Sequence, residues 1–223
     1  MKKLFLILLV STLIISCVGT KKYSSFVYQK VAVKDLKKNT VACDYIQIKI
    51  DDLVYNDSLV MAKKIKSQFI PAVLYWQWEN TIKCVLHPSI PANTLMSSIV
   101  NYANEISLKE KLHGNQIEIS IQKIPNSFMY RNTGNAIILI FGYITYGLEA
   151  IYSQTQNLTV TYRVLKENQE VKKGTISINN DEDQPVRNIW KSTKKFTWNY
   201  IDQYNLSIET LGKQLVEKLS TQI

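Results

Sequence analysis

The chain has 223 residues, enough for one substantial hydrophobic core, and a single domain is the default expectation. Its 27 basic and 18 acidic residues leave a net charge of +9, which suits anionic lipid, lipopolysaccharide or nucleic acid as neighbours, and equally a plain basic surface. Two histidines and the lack of any CxxC, HExxH or glycine-rich phosphate loop leave metal and nucleotide chemistry without a motif, so no metal and no cofactor is expected.

Met1 to Cys17, MKKLFLILLVSTLIISC, has two lysines, then an apolar run from Leu4 to Ile15, then Ser16-Cys17. That order is the one of an export signal. The apolar run is shorter than the roughly 20 residues of a membrane span. A cysteine directly after a small residue resembles the lipobox of bacterial lipoproteins, here Ile14-Ile15-Ser16-Cys17. The resemblance implies cleavage of residues 1–16 and lipid on the thiol and new amino group of Cys17. It also implies a bacterial cell-envelope location; the absence of an acidic residue after Cys17 points to the outer membrane, facing the periplasm. Lys2 and Lys3 would leave with the signal, taking the basic count to 25 against 18 acids, +7. Export also removes nucleic acid as a partner.

Residues 17–39 read as the lipidated cysteine and a polar lead, with 18–25 a tether. The domain proper is expected over 40–223. Thr40 to Asp52 alternates Ile46, Ile48 and Ile50 with polar residues, a half-buried strand. Ser58 to Phe69 spaces Leu59, Ala62, Ile65 and Phe69 as a short helix or irregular turn does, stopped by Pro71. Ala72 to Trp78 and Ile82 to His87 read as a hairpin around Glu79-Asn80-Thr81. Its Trp76 and Trp78 share a face, as core partners or as a ligand platform.

Ile90 to Gly114 is the clearest helix, with Gly114 as its stop. Gln116 to Ile124 alternates again, Ile117, Ile119 and Ile121 on one side. Ala136 to Leu148, AIILIFGYITYGL, is apolar all round and hides its period. It reads as a buried strand pair or core helix, or as an apolar surface for membrane or partner through Ile138, Ile140, Phe141 and Tyr143. Leu158 to Leu165 and Val171 to Ile178 form a hairpin with a charged tip. From Asn188 onward Trp190, Phe196, Ile201, Tyr204, Ile208, Leu211, Leu215 and Leu219 mark one helical stripe, with a break near Asn205. Lys191, Lys194 and Lys195 beside these aromatics form the densest basic cluster, suited to anionic headgroups or an acidic partner, or a solvated face.

Cys43 and Cys84 lie on strand-like segments, and in an oxidising envelope a disulfide between them is possible. His87 and His113 have no metal-spaced partner and no nucleophile motif, so no catalytic residue is expected. The expected class is α+β, an antiparallel sheet of about five or six strands with two longer helices on one face. Behind a lipobox, this element order resembles the ABC-type transport auxiliary lipoproteins, small envelope proteins that accompany lipid transport machinery. The resemblance implies a non-catalytic assembly or accessory role with an envelope protein partner. An apolar-ligand carrier, with lipid as ligand, is the alternative, and an envelope hydrolase a more distant one.

Overall fold

The computed structural model describes residues 18–32, 43–50, 58–139, 142–153, 156–180, 185–188 and 190–223. The signal, the lipobox and Cys17 lie outside the described residues, as does the acidic stretch 181–184.

The α+β class holds, but the strands form two sheets of four where one of five or six was expected, and the described residues hold four helices. The first sheet is ordered β1 (Ile46–Ile50), β4 (Gln116–Lys123), β7 (Gln156–Lys166) and β8 (Gln169–Asn180), with β1 parallel to β4 and the rest antiparallel. The second is ordered β2 (Val60–Pro71), β3 (Tyr75–Leu86), β5 (Ser127–Leu139) and β6 (Gly142–Ser153), antiparallel throughout.

Strict alternation makes the first sheet. Ile117, Ile119 and Ile121 of β4 and Leu158, Val160, Tyr162 and Val164 of β7 are buried, while their polar neighbours face water. The β7–β8 hairpin turns on Glu167 and Asn168, both at positive φ (51° and 66°), the two-residue geometry that matches strand twist.

Two readings fail in the second sheet. Residues 58–69 are not helical; β2 runs through them because its cross-strand partners on β3 fix it, and the apolar spacing only imitates a helix. Nor is there a hairpin at 79–81. Glu79, Asn80 and Thr81 lie inside β3, where Asn80 pairs with Ser67 and Asn132, and the reversal comes earlier, with Ala72 N–H donating to Tyr75 O at 2.7 Å.

Among the helices, α1 (Thr20–Val31) replaces the expected tether, with Tyr23, Val27 and Val31 buried on its inner face. The long helix expected over 90–114 stops early: α2 (Ser89–Glu105) ends before Ser107, which adopts the left-handed conformation, and one turn, α3 (Leu108–Lys111), follows. The last helix, α4 (Thr193–Gln222), runs unbroken through Asn205 and is capped by Ser192, whose hydroxyl accepts from Lys195 N–H. Its stripe is buried as expected, Phe196, Ile201, Tyr204, Ile208, Leu211, Leu215 and Leu219 included, whereas Trp190 stands outside it, exposed.

One core joins these layers. It draws the inner faces of both sheets against α1, α2 and α4. Tyr23 of α1 stacks on Tyr130 of β5 with ring centroids 4.6 Å apart, and Phe128 meets Tyr200 of α4 at 5.1 Å.

Candidate functional site

The second sheet changes character along its length. Near Phe128 its inner face is packed under helices, and Ile82, Cys84, Leu86 and Phe128 are all sealed from water. Beyond the level of Asn132 the same strands continue without that cover. Strand register puts residues 67–78 and 132–148 at this one end, and neither stretch contains a charged residue. From Arg131 to Leu139 is eight residues, a projection of about 25 Å at strand rise.

This uncharged arm is apolar and open. Phe69, Ile70, Val73 and Leu74 on one hairpin and Ile137, Leu139, Ile144 and Tyr146 on the other are exposed, Val73 at 93 % and Tyr146 at 61 %. They are eight of the sixteen exposed large apolar side chains among the described residues, so the apolar surface is concentrated here and not scattered. The turn after β2 lies beside the end of β5, Ile138 N–H donating to Leu74 O at 2.8 Å.

Bands of charge bracket the base of the arm on both faces. On the outer face Glu79 takes Lys66 at 2.6 Å and Arg131 at 3.2 Å across three strands. The hydrogen bond from Lys66 and the Arg131 charge hold its carboxyl below the usual range. On the inner face Glu149 binds Arg187 at 2.8 Å and accepts from the Thr193 hydroxyl at 2.9 Å, tying the sheet to the start of α4.

The arm is stiffened from within by Trp78. Its indole lies against Gly134 and reaches Gly147, directly opposite each other on β5 and β6. A Cβ on Gly134 would sit 2.2 Å from a Trp78 ring carbon, so only glycine admits the ring. Trp78 Nε1–H donates to Asn132 Oδ1 at 3.0 Å, and Asn132 donates to the Tyr130 hydroxyl, itself stacked on Tyr23. Burial, then the Glu149 carboxylate, pushes the Tyr130 hydroxyl well above its ordinary pKa. A continuous polar and aromatic chain thus links the arm to α1. Trp76 and Trp78 do share a face, half-buried, but Trp78 serves as internal packing.

The expected surface residues fall partly here. Ile138 is half-buried on β5; Ile140, Phe141 and the side chain of Tyr143 lie outside the described residues. The described residues of the 136–148 segment form a strand pair, but Ile137, Leu139, Ile144 and Tyr146 on it are exposed where burial is one expectation. Sequence reasoning missed Phe69, Ile70, Val73 and Leu74 on the neighbouring hairpin; the charge-free run 67–78 was the available signal.

Lys191, Lys194 and Lys195 sit at the start of α4. Lys194 lies over the Trp198 ring at 4.6 Å and Lys30 over the same ring at 5.9 Å, while Trp198 Nε1–H donates to Phe26 O at 2.8 Å. Trp198 therefore pins α1 to α4, while Lys191 and Lys195 are exposed.

Cys43 and Cys84 are both free thiols, so the disulfide reading is not met. Cys43 precedes the first sheet and Cys84 is buried in the second, where burial pushes its thiol up to about 12. Cys43 borders a cleft of about 470 Å³ between β1, β4 and α2, with Tyr45, Met96, Val100 and Glu118 among its walls. Tyr45 donates to Asn104 Oδ1 at 2.7 Å there. His87 holds Ser89 at the start of α2 through its Nδ1, and His113 sits at positive φ in the turn after α3. No family model, no curated protein and no solved structure matches this chain.

Proposed function

We propose that the chain is a lipid-anchored protein of the bacterial cell envelope with a non-catalytic assembly or accessory role, and that the uncharged arm is its working surface. The observation carrying this reading is the arm itself. A 25 Å projection (about that, at strand rise) bare of charge on both faces is a cost in water unless something apolar meets it. The lipobox-like Ile14-Ile15-Ser16-Cys17 supplies the anchor. Support against the hydrolase reading comes from Glu79, Glu118 and Glu149. Each is at most 19 % exposed and each is paired with an arginine, Arg131, Arg163 and Arg187 respectively, which occupies it.

The carrier alternative has the cleft beside Tyr45 in its favour, since its volume is within the range of small-molecule sites. That cleft is lined by the first sheet, not by the Trp76 and Trp78 strand that the sequence suggested.

Crosslinking in intact membranes followed by purification tests the proposal, comparing wild type, Cys17→Ala and the arm variant Val73→Asp/Leu74→Asp. The expected result is a defined set of membrane components lost in both variants. Retention of the same components by the arm variant would end the claim that the arm is the working surface. Co-purified free lipid in wild type and arm variant alike, without membrane components, would favour the carrier.

A further inference from the structure

The arm, the start of α1 and the start of α4 all lie at one end of the molecule. Phe26 accepts from Trp198, and Lys30 pairs with Asp202 at 2.7 Å. Equal steps along both helices mean that α1 runs parallel to α4. Along α4, Tyr204 reaches Pro125 O, Tyr200 meets Phe128, and Thr193 reaches Glu149 at the base of the arm. Moving towards the N-terminus of α4 is therefore moving towards the arm, and the same holds for α1. Val18, the first described residue, is at this end, and Cys17 is three residues before α1, at most about 11 Å of extended chain.

The same end carries exposed basic and amphipathic side chains. Lys21 and Lys22 on the first turn of α1 and Lys191 and Lys195 beside α4 are exposed. Trp190 is 88 % exposed among them, the kind of side chain that settles at a membrane–water boundary. A basic collar around an uncharged projection complements an anionic bilayer: the collar meets headgroup phosphates and the tip meets acyl chains.

Building on the lipoprotein reading above, we infer that the arm is a second membrane contact, lying in the interface of the anionic bilayer to which Cys17 is anchored. β2 and β6 are open edges of the sheet there, with backbone groups that hydrocarbon cannot satisfy. The arm consequently lies slantwise at the headgroup boundary, with Val73 and Leu74 as its deepest residues, and does not cross the leaflet.

A photo-crosslinking residue at Val73 in the full chain, irradiated in native membranes, reads the contact directly. Val171, also exposed and apolar but on β8 of the other sheet, is the control position. Phospholipid adducts at position 73 and few at 171 are expected. Adducts to another protein or to a second copy at 73, or equal labelling at both positions, would overturn the inference. Palmitate labelling of wild type and Cys17→Ser is read in parallel. Lipid adducts at 73 in a chain that takes no palmitate would sink the anchor and leave the arm contact standing; palmitate without lipid adducts would do the reverse. In vesicles of phosphatidylethanolamine and phosphatidylglycerol, Val73→Asp and Leu74→Asp in the Cys17→Ser chain should each lower binding roughly tenfold. Because both positions are solvent-facing, unchanged circular dichroism keeps a loss from being read as misfolding.

Discussion

The near and far halves of the second sheet share strands, pairing and register, yet answer to different surroundings. At Phe128 and Ile82 the inner face is apolar because helices cover it, and the outer face is mixed, with Lys83 and Ser127 beside Val85 and Met129. At Val73 and Leu139 the strands are uncharged and these apolar side chains are exposed. The boundary is a charge row, Lys66, Glu79 and Arg131, a few residues wide. Strand formation is thus indifferent to which half it serves; the halves differ in charge and cover, not in pairing.

Substitutions should separate the halves by size of effect. Phe128→Ala, emptying a fully buried site between Tyr200 and Tyr204, should cost about 3–5 kcal/mol in urea unfolding. Gly134→Val should cost about 1–3 kcal/mol and shift Trp78 fluorescence, because a Cβ meets the indole and the Tyr146 carbonyl; Gly142→Ala, with open space around it, should change neither. Thiol labelling should modify Cys43 in the native state and Cys84 only on unfolding. The folded Cys84 pKa is raised to about 12, so its contribution to stability is complete below the unfolded value of about 8.5 and is lost as pH rises above that. Equal labelling rates would mean the near half of the second sheet opens as freely as the chain just before the first sheet.

Glu79 works in the opposite sense. Its folded pKa is lowered by Lys66 and Arg131, so its contribution is present above the unfolded value of about 4.3 and is lost as pH falls. Wild type should lose more stability on acidification through that range than Glu79→Gln, as denaturation midpoints against pH would show. The smallest effect is expected for Val73→Asp, within about 0.5 kcal/mol of wild type, since the residue has no fold to support.

Legibility in the sequence followed the same divide. Ile117, Ile119 and Ile121 announce β4 because water lies on one side of it and core on the other. The C-terminal stripe from Phe196 to Leu219 was readable for the same reason. Lys63, Lys64 and Lys66 on β2 break that contrast, since an edge strand exposed on both faces carries no period, and a helix could be read into it. Glu79, Asn80 and Thr81 have turn chemistry but satisfy it across strands, so local propensity pointed to a hairpin that long-range pairing overrides. Ala136 to Leu148 was recognised as anomalous from composition; its companion 67–78 was not, because only register shows that they adjoin.

The parallel seating of α1 on α4 also dictates an order of events in time. The bonds Lys30–Asp202 and Trp198–Phe26 each join residues 172 apart. Closing so long a loop offers no reward until the last helix exists, which makes this the slow, late step of folding. If the chain is threaded across a membrane N-terminus first, α1 emerges while its α4 partner, the final thirty residues, is still on the other side.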